Sequence, residues 1–370
     1  MDYLAFLSAF IWIAVLLLPW RPWSTREQLD ARTGGPEEDL GDITVLIPAR
    51  NEAETIGRTL TGVVAQGSGH AIVLVDDQST DGTEEEARKA AGGRVHIVSG
   101  EPLPSGWSGK LWALEQGLRH IATPLTLLID ADIELRPGIL VALRDLMKQS
   151  DRQFVSLMAE LRMQSFWERL LMPAFVYFFK LLYPFGLSNS RWPIVAAAAG
   201  GCILVETRVL EEIGGFKALR GELIDDCALA RRVKSKGYRT WIGLTRSVRS
   251  IRSYNDLGSI ANMVARTAFT QLRYSVFLLM VCTAALLLAF WAPIFVFAFG
   301  DLPNKLLSIV AFLAMIICYA PTLRFYRLSG WWAPALPVIG AIYLSMTWIS
   351  AVRYWRGKRS QWKGRVYSKV

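Results

Sequence analysis

Charge is missing from four long stretches of this 370-residue sequence: Tyr3 to Trp20, Tyr274 to Gly300, Leu306 to Leu323 and Trp331 to Val352 hold no Asp, Glu, Lys, Arg or His. Each is long enough, or nearly so, to cross the hydrocarbon core of a bilayer as a helix. Cysteine is scarce too. The four residues Cys202, Cys227, Cys282 and Cys318 show no CxxC spacing and two lie in apolar stretches, which argues against a disulfide framework or a zinc site. His70, His96 and His120 lack metal-ligand spacing and read as surface or packing residues. No GxGxxG or GxSxG occurs, so neither a dinucleotide fingerprint nor a serine-hydrolase elbow is present. With 52% hydrophobic residues and a mean hydropathy of +0.28, disorder and collagen-like repeats are excluded, and an ordinary soluble enzyme fits poorly.

The net charge is +9, but its placement argues against nucleic acid. Arg353, Arg356, Lys358, Arg359, Lys363, Arg365 and Lys369 come directly after an apolar run, within the final 18 residues, 353–370, with no acid among them. Such a juxtamembrane tail attracts anionic phospholipids and acts as a topology signal. The first apolar run has Asp2, no basic n-region and a poor cleavage site at Pro19 to Trp23, so residues 1–23 read as an uncleaved anchor rather than a signal peptide. Arg21, Arg26 and Arg32 then favour a cytoplasmic location for the chain beyond the anchor. A polar linker from about Ser24 to Gly41 leads into a soluble region.

Within that region Ile43 to Ile47, Ala71 to Val75, Val95 to Val98 and Leu125 to Ile129 are β-rich runs, each succeeded by a polar turn and a helix-period segment. This is the signature of a parallel sheet covered by helices, in which ligands bind beyond the carboxyl ends of the strands. Leu170 to Leu187 is almost wholly apolar with Lys180 in its middle, and residues 170–187 read as a helix in the membrane interface, with a buried core helix as the alternative. Pro193 to Val205 reads as a strand or tight loop.

Carboxylates gather at the strand ends. Pro48-Ala49-Arg50-Asn51-Glu52 comes after the first run, and Asp76-Asp77-Gln78-Ser79-Thr80-Asp81-Gly82-Thr83 after the second. An acid so placed can accept hydrogen bonds from a ribose hydroxyl or a base N–H, although Asp-Gly-Thr taken alone is equally a turn leading into a helix cap. The fourth run enters Asp130-Ala131-Asp132, where strand alternation puts both carboxylates on one side, a donor set suited to Mg2+ or Mn2+ holding a diphosphate. Gly109-Lys110 opens a helix and offers backbone N–H groups and a cation to phosphate, without P-loop spacing. Asp225-Asp226 sits at another helix N-terminus, where the macrodipole favours the ionised form that a general base needs; a plain N-cap is the alternative.

Taken in order, these pieces resemble the inverting, metal-dependent glycosyltransferases of family 2, with the GT-A fold, an α/β Rossmann-like nucleotide-sugar-binding domain expected over residues 42–250. The matching motifs are Ile47 to Glu52, Val75 to Thr83, Asp130-Ala131-Asp132, Gly200-Gly201-Cys202 and Asp225 to Arg232. The resemblance implies that Pro48, Ala49, Asn51, Glu52, Asp77, Gly109, Lys110 and Asp130 bind the donor, a UDP-sugar, that Asp132 holds the metal, and that Asp226 is the base with Asp225 beside it. The family's Glu-Asp pair is Asp225-Asp226 here, which leaves the first acid's role open. The whole-chain plan is similar to the hopene-associated glycosyltransferases of bacterial hopanoid biosynthesis, implying a lipid acceptor at the bacterial inner membrane and an accessory role for Trp362 and Arg365. A processive polysaccharide synthase would carry Gln-x-x-Arg-Trp, which Gln361 to Arg365 does not spell, and a non-catalytic scaffold would have lost a carboxylate. Of the membrane segments expected over residues 272–352, Trp331 to Val352 is the one expected not to cross: Pro334, Pro337 and Gly340 interrupt it, and a full third span would put the basic tail outside.

Overall fold

Seven consecutive buried residues, Ile43–Ala49, make β1, an apolar run of the kind that a strand covered on both faces requires. The computed structural model describes residues 1–32, 38–222 and 224–357, and the backbone of 361–362 and 365–366. These divide into two compact units. One comprises Glu27–Arg162 with Leu187–Ser253, the other Met1–Arg26, Met163–Gly186 and Tyr254–Arg359.

The first unit is built on one sheet. Besides β1 it contains β2 (Ala71–Asp76), β3 (Val95–Ser99), β4 (Leu125–Ile129), β5 (Ile133–Leu135), β6 (Phe154–Glu160), β7 (Cys202–Glu206) and β8 (Thr240–Ser250), in the order β3-β2-β1-β4-β7-β6-β8-β5. The four strands read from the sequence form the parallel part, with β1 between β2 and β4. Beyond β4 the sheet is mixed: β7 runs antiparallel to both β4 and β6, so the expected parallel sheet holds for half of it. One face packs on Ile56, Leu60, Val63, Ala87, Leu140 and Leu143, the other on Leu111, Leu114, Val209, Leu210, Leu229 and Val233, so helices cover both sides. The β1–β4 pairing ends at Leu46 and Leu128, before Pro48, whose missing N–H therefore costs no ladder bond toward β4. There, where chain order reverses, a crevice opens.

The Gly109–Leu118 helix lies unusually close to this sheet, because a Cβ on Gly117 would stand 2.3 Å from Leu46 Cδ1 and 2.9 Å from Val75 Cγ2. Within the expected linker, Leu29 donates to the Leu244 carbonyl (3.0 Å) and Leu244 to that of Glu27 (2.8 Å), extending the edge of β8.

The second unit is helical. Three helices, Val276–Phe299, Leu302–Phe325 and Gly330–Trp355, are long and apolar enough to cross a membrane, while Asp2–Leu17 is shorter. They leave large apolar side chains such as Phe277, Phe299 and Leu302 exposed, which associates this unit with lipid. The Trp12 indole donates to the Ala289 carbonyl (2.7 Å) inside a π-helical turn, Leu287–Trp291, that interrupts the first long helix. The segment expected to be broken by proline is instead continuous. Pro334 falls in a 3-10 entry, Gly330–Ala335, and Pro337 in the first turn of Leu336–Trp355, where its missing N–H is not needed. The helix that carries Lys180, Phe166–Leu182, likewise runs through Pro173, but it ends before Pro184, so the stretch expected as one helix over residues 170–187 is divided and Phe185–Ser188 forms a separate short turn of helix. The longer helix opens with a capping box from Ser165 and buried Glu168, whose Oε1 also accepts from the Tyr254 N–H at 2.8 Å, and its Lys180 donates to the Ser24 carbonyl.

Candidate active site

The β1 and β2 exits are laced together before any ligand is considered. Asn51 and Gln78 adopt left-handed backbone (φ 50° and 57°), which bends each chain sharply off its strand. Asn51 donates its N–H to Ser79 Oγ and accepts from the Thr80 N–H, both at 2.9 Å. Arg50 donates to the Asp77 and Gln78 carbonyls and lies 3.8 Å from the fully buried Asp77 carboxylate. Ala49 is buried in the strand and accepts from the Asp77 N–H at 2.8 Å. Burial works against ionisation of Asp81, yet the Thr83 hydroxyl and the Ala53 and Thr83 N–H groups hold its carboxyl below the usual range.

A second group lines the crevice, which is bounded by Pro48, Lys110, Asp130, Gly200, Asp225 and Asp226 together with apolar side chains. Ser108 Oγ caps the Gly109–Leu118 helix, and its second residue, Lys110, places Nζ 2.7 Å from Asp130 Oδ1 and 3.7 Å from Asp225 Oδ2. Burial alone would lower the pKa of this ammonium, but the charges of Asp130 and Asp225 outweigh it and raise it. Asp130 is itself raised by burial and by Asp132, with Lys110 opposing. Asp226 lies in the first turn of the Asp225–Ser235 helix. Its Oδ2 accepts from the Gly200 N–H at 2.9 Å and its Oδ1 from the Cys227 N–H at 2.7 Å. Burial and the neighbouring Asp225 push its carboxyl up to about 6, against the pull of Lys110 and the two N–H donors. A half-buried acid with a pKa near working pH, fixed in orientation, has the properties of a general base.

Asp132 belongs to a third group. The alternation expected for Asp130 and Asp132 does not carry through, because β4 ends at Ile129 and the next residues turn, closed by the Ile133 N–H on the Asp130 carbonyl at 3.1 Å. Each aspartate therefore has its own cation. Asp132 Oδ2 is 2.5 Å from Arg252 Nε, and Arg252 Nη2 is 2.9 Å from Oε1 of Glu52, whose Oε2 accepts from the Thr55 hydroxyl. Arg252 escaped the sequence reading. It stands just past β8, a strand whose polar interruptions hid it, and the strand-end rule would have singled it out had that strand been recognised. Trp362 and Arg365 lie on the backbone of a short antiparallel ribbon, Gln361–Trp362 with Arg365–Val366, and their side chains fall outside the described residues.

A sheet whose strand-end acids converge at its order reversal agrees with the family comparison: the family model described as "Glycosyltransferase like family 2" matches residues 41–270. The chain belongs to glycosyltransferase family 2. Curated relatives include the 4,4'-diaponeurosporenoate glycosyltransferases of Staphylococcus aureus (strain USA300), 32% identical over 111 residues, and of Staphylococcus haemolyticus (strain JCSC1435), 33% identical over 98. These matches span 30% and 26% of this chain and 28% and 26% of the relatives' own length. Among solved structures, a mannosyltransferase from Pyrobaculum calidifontis in complex with GDP-Man and Mn2+ superposes with a TM-score of 0.58 at 20% identity, covering 95% of this chain and 98% of that one. That likeness shows the fold: the first unit of this chain is of GT-A type.

Proposed function

We propose that this glycosyltransferase moves one sugar from a UDP-sugar to a membrane lipid, inverting the anomeric centre in a single displacement. The reading is carried by Asp226, a carboxylate fixed by two backbone N–H groups on the wall of the crevice with its pKa raised to about 6. It takes the proton of the acceptor hydroxyl as that oxygen bonds to the anomeric carbon, and the bond to the diphosphate breaks with its electron pair leaving on the nucleotide. Lys110 meets the phosphate charge, with Gly109 at the same helix start. Pro48, Ala49, Asn51, Glu52 and Asp77 form the nucleoside side of the site. Replacing Asp226 by Asn keeps size and removes basicity, so donor binding should persist while transfer falls by several orders of magnitude. Transfer within tenfold of the parent enzyme would refute the assignment.

Chemistry of the donor set supports a divalent ion. Glu52, Asp130, Asp132, Asp225 and Asp226 outnumber Lys110 and Arg252, the cations paired among them, and an anionic diphosphate would add to that excess. No cluster of three or more metal-holding His, Cys, Asp or Glu side chains occurs among the described residues. Mg2+ or Mn2+ would sit at Asp132, with Asp130 toward the diphosphate, and would offset the charge developing on the leaving group.

The lipid acceptor is supported by the apolar second unit, and the relatives named for diaponeurosporenoate point the same way. Within lipids we favour a hopanoid, from the whole-chain resemblance, in a bacterial cytoplasmic membrane with the catalytic unit and basic tail inside. On that reading Gly330–Trp355 lies in the interface despite its length. Tyr343 donates to the Leu171 carbonyl (2.8 Å) and Ser350 to that of Ala265 (2.6 Å), so its second half is held by helices that begin soon after the chain enters this unit.

A further inference from the structure

We propose that Arg252 is a displaceable internal counter-ion: it holds Asp132 and Glu52 until a divalent cation takes Asp132, so that guanidinium and metal are alternative partners of that carboxylate. The inference rests on the reading of Asp132 as metal ligand. The arm that carries Arg252 is anchored by the Ile251 N–H, which donates to the Asp132 carbonyl at 2.9 Å. From there one guanidinium reaches both acids, Nε at 2.5 Å from Asp132 and Nη2 at 2.9 Å from Glu52. The acids are built in, with side chains 12% and 9% exposed, whereas that of Arg252 is 36% exposed and is the partner with room to swing out. A guanidinium on one carboxylate oxygen puts a unit positive charge roughly 4–5 Å from a dication on the other, and away from bulk water that repulsion is strong. Both cannot be held at full affinity.

Such an exchange acts twice. Without donor, Asp132 and Glu52 are kept from repelling each other. When metal arrives, one residue releases a metal carboxylate and a nucleoside-side carboxylate together, which couples the two binding events. A purely structural arginine would do the first and not the second.

The test is the Mn2+ affinity of the full chain in detergent without nucleotide, read from the electron paramagnetic resonance of free Mn2+. Arg252→Gln should bind about tenfold tighter or more, and Arg252→Lys by a smaller factor. Arg249→Gln, which removes equal charge from a 2.8 Å pair with Glu160, should stay within about twofold. Equal or weaker binding by Arg252→Gln, or the same gain in Arg249→Gln, would overturn the proposal. If thermal melting shows Arg252→Gln unfolded, Arg252→Lys carries the comparison. A second arm adds UDP: Mn2+ uptake by the parent and not by Asp132→Asn upholds the metal reading whatever Arg252 does, and no uptake by the parent overturns that reading and this inference with it.

Discussion

As the proposed base, Asp226 serves two ends that conflict. A base must be ionised to accept a proton, and burial beside Asp225 resists ionisation, holding the pKa at about 6. Transfer should therefore lose activity below about pH 6, in a kcat/KM profile whose acid limb is absent from the residual rate of Asp226→Asn. The same shift acts on stability. Unfolded, an aspartate ionises near its ordinary value of 3.8; folded, this one keeps its proton up to about 6, so its contribution is favourable at low pH and is lost as pH rises through that interval. Asp226→Asn should then melt above the parent at pH 8, with the difference vanishing below about pH 4; an equal gap at both would place the pKa elsewhere. The acids were legible because each strand-end motif is contiguous in sequence. Arg252 was not, since it meets Asp132 and Glu52 only in the fold, 120 and 200 positions away.

Elements place these residues, and one close approach among them is at Gly117. A methyl there would overlap Leu46 and Val75 of the central strands, pushing the Gly109–Leu118 helix outward and Lys110 away from Asp130. Gly117→Val should cost on the order of 1–3 kcal/mol by overpacking, exceeding any gain in helix propensity, and lower transfer through donor KM. Thermal melting and kinetics check both, and an unaltered melting temperature would contradict the packing argument. The four parallel strands could be read from sequence because doubly covered strands are uniform apolar runs. The direction of β7 could not, since hydropathy marks burial and not polarity of the chain. Pro334 and Pro337 misled for a related reason: proline breaks a helix interior but fits its first turn, and sequence alone did not locate that turn.

At the scale of the molecule, a unit of GT-A type and a helical unit rich in exposed apolar side chains share one chain. With a cytoplasmic tail, a cysteine at Ser368 should resist an impermeant reagent in intact spheroplasts and react after lysis; modification before lysis would mean that Gly330–Trp355 spans. The central claim joins both units, since the sugar should leave water and enter the membrane. The most direct measurement incubates the full chain, in bilayer discs of bacterial lipid, with radiolabelled α-linked UDP-sugars and determines where the label goes and the anomeric configuration of the product. The account predicts a chloroform-soluble glycolipid carrying a single β-linked sugar. Label in a water-soluble polymer, or a lipid product with α configuration, would contradict it.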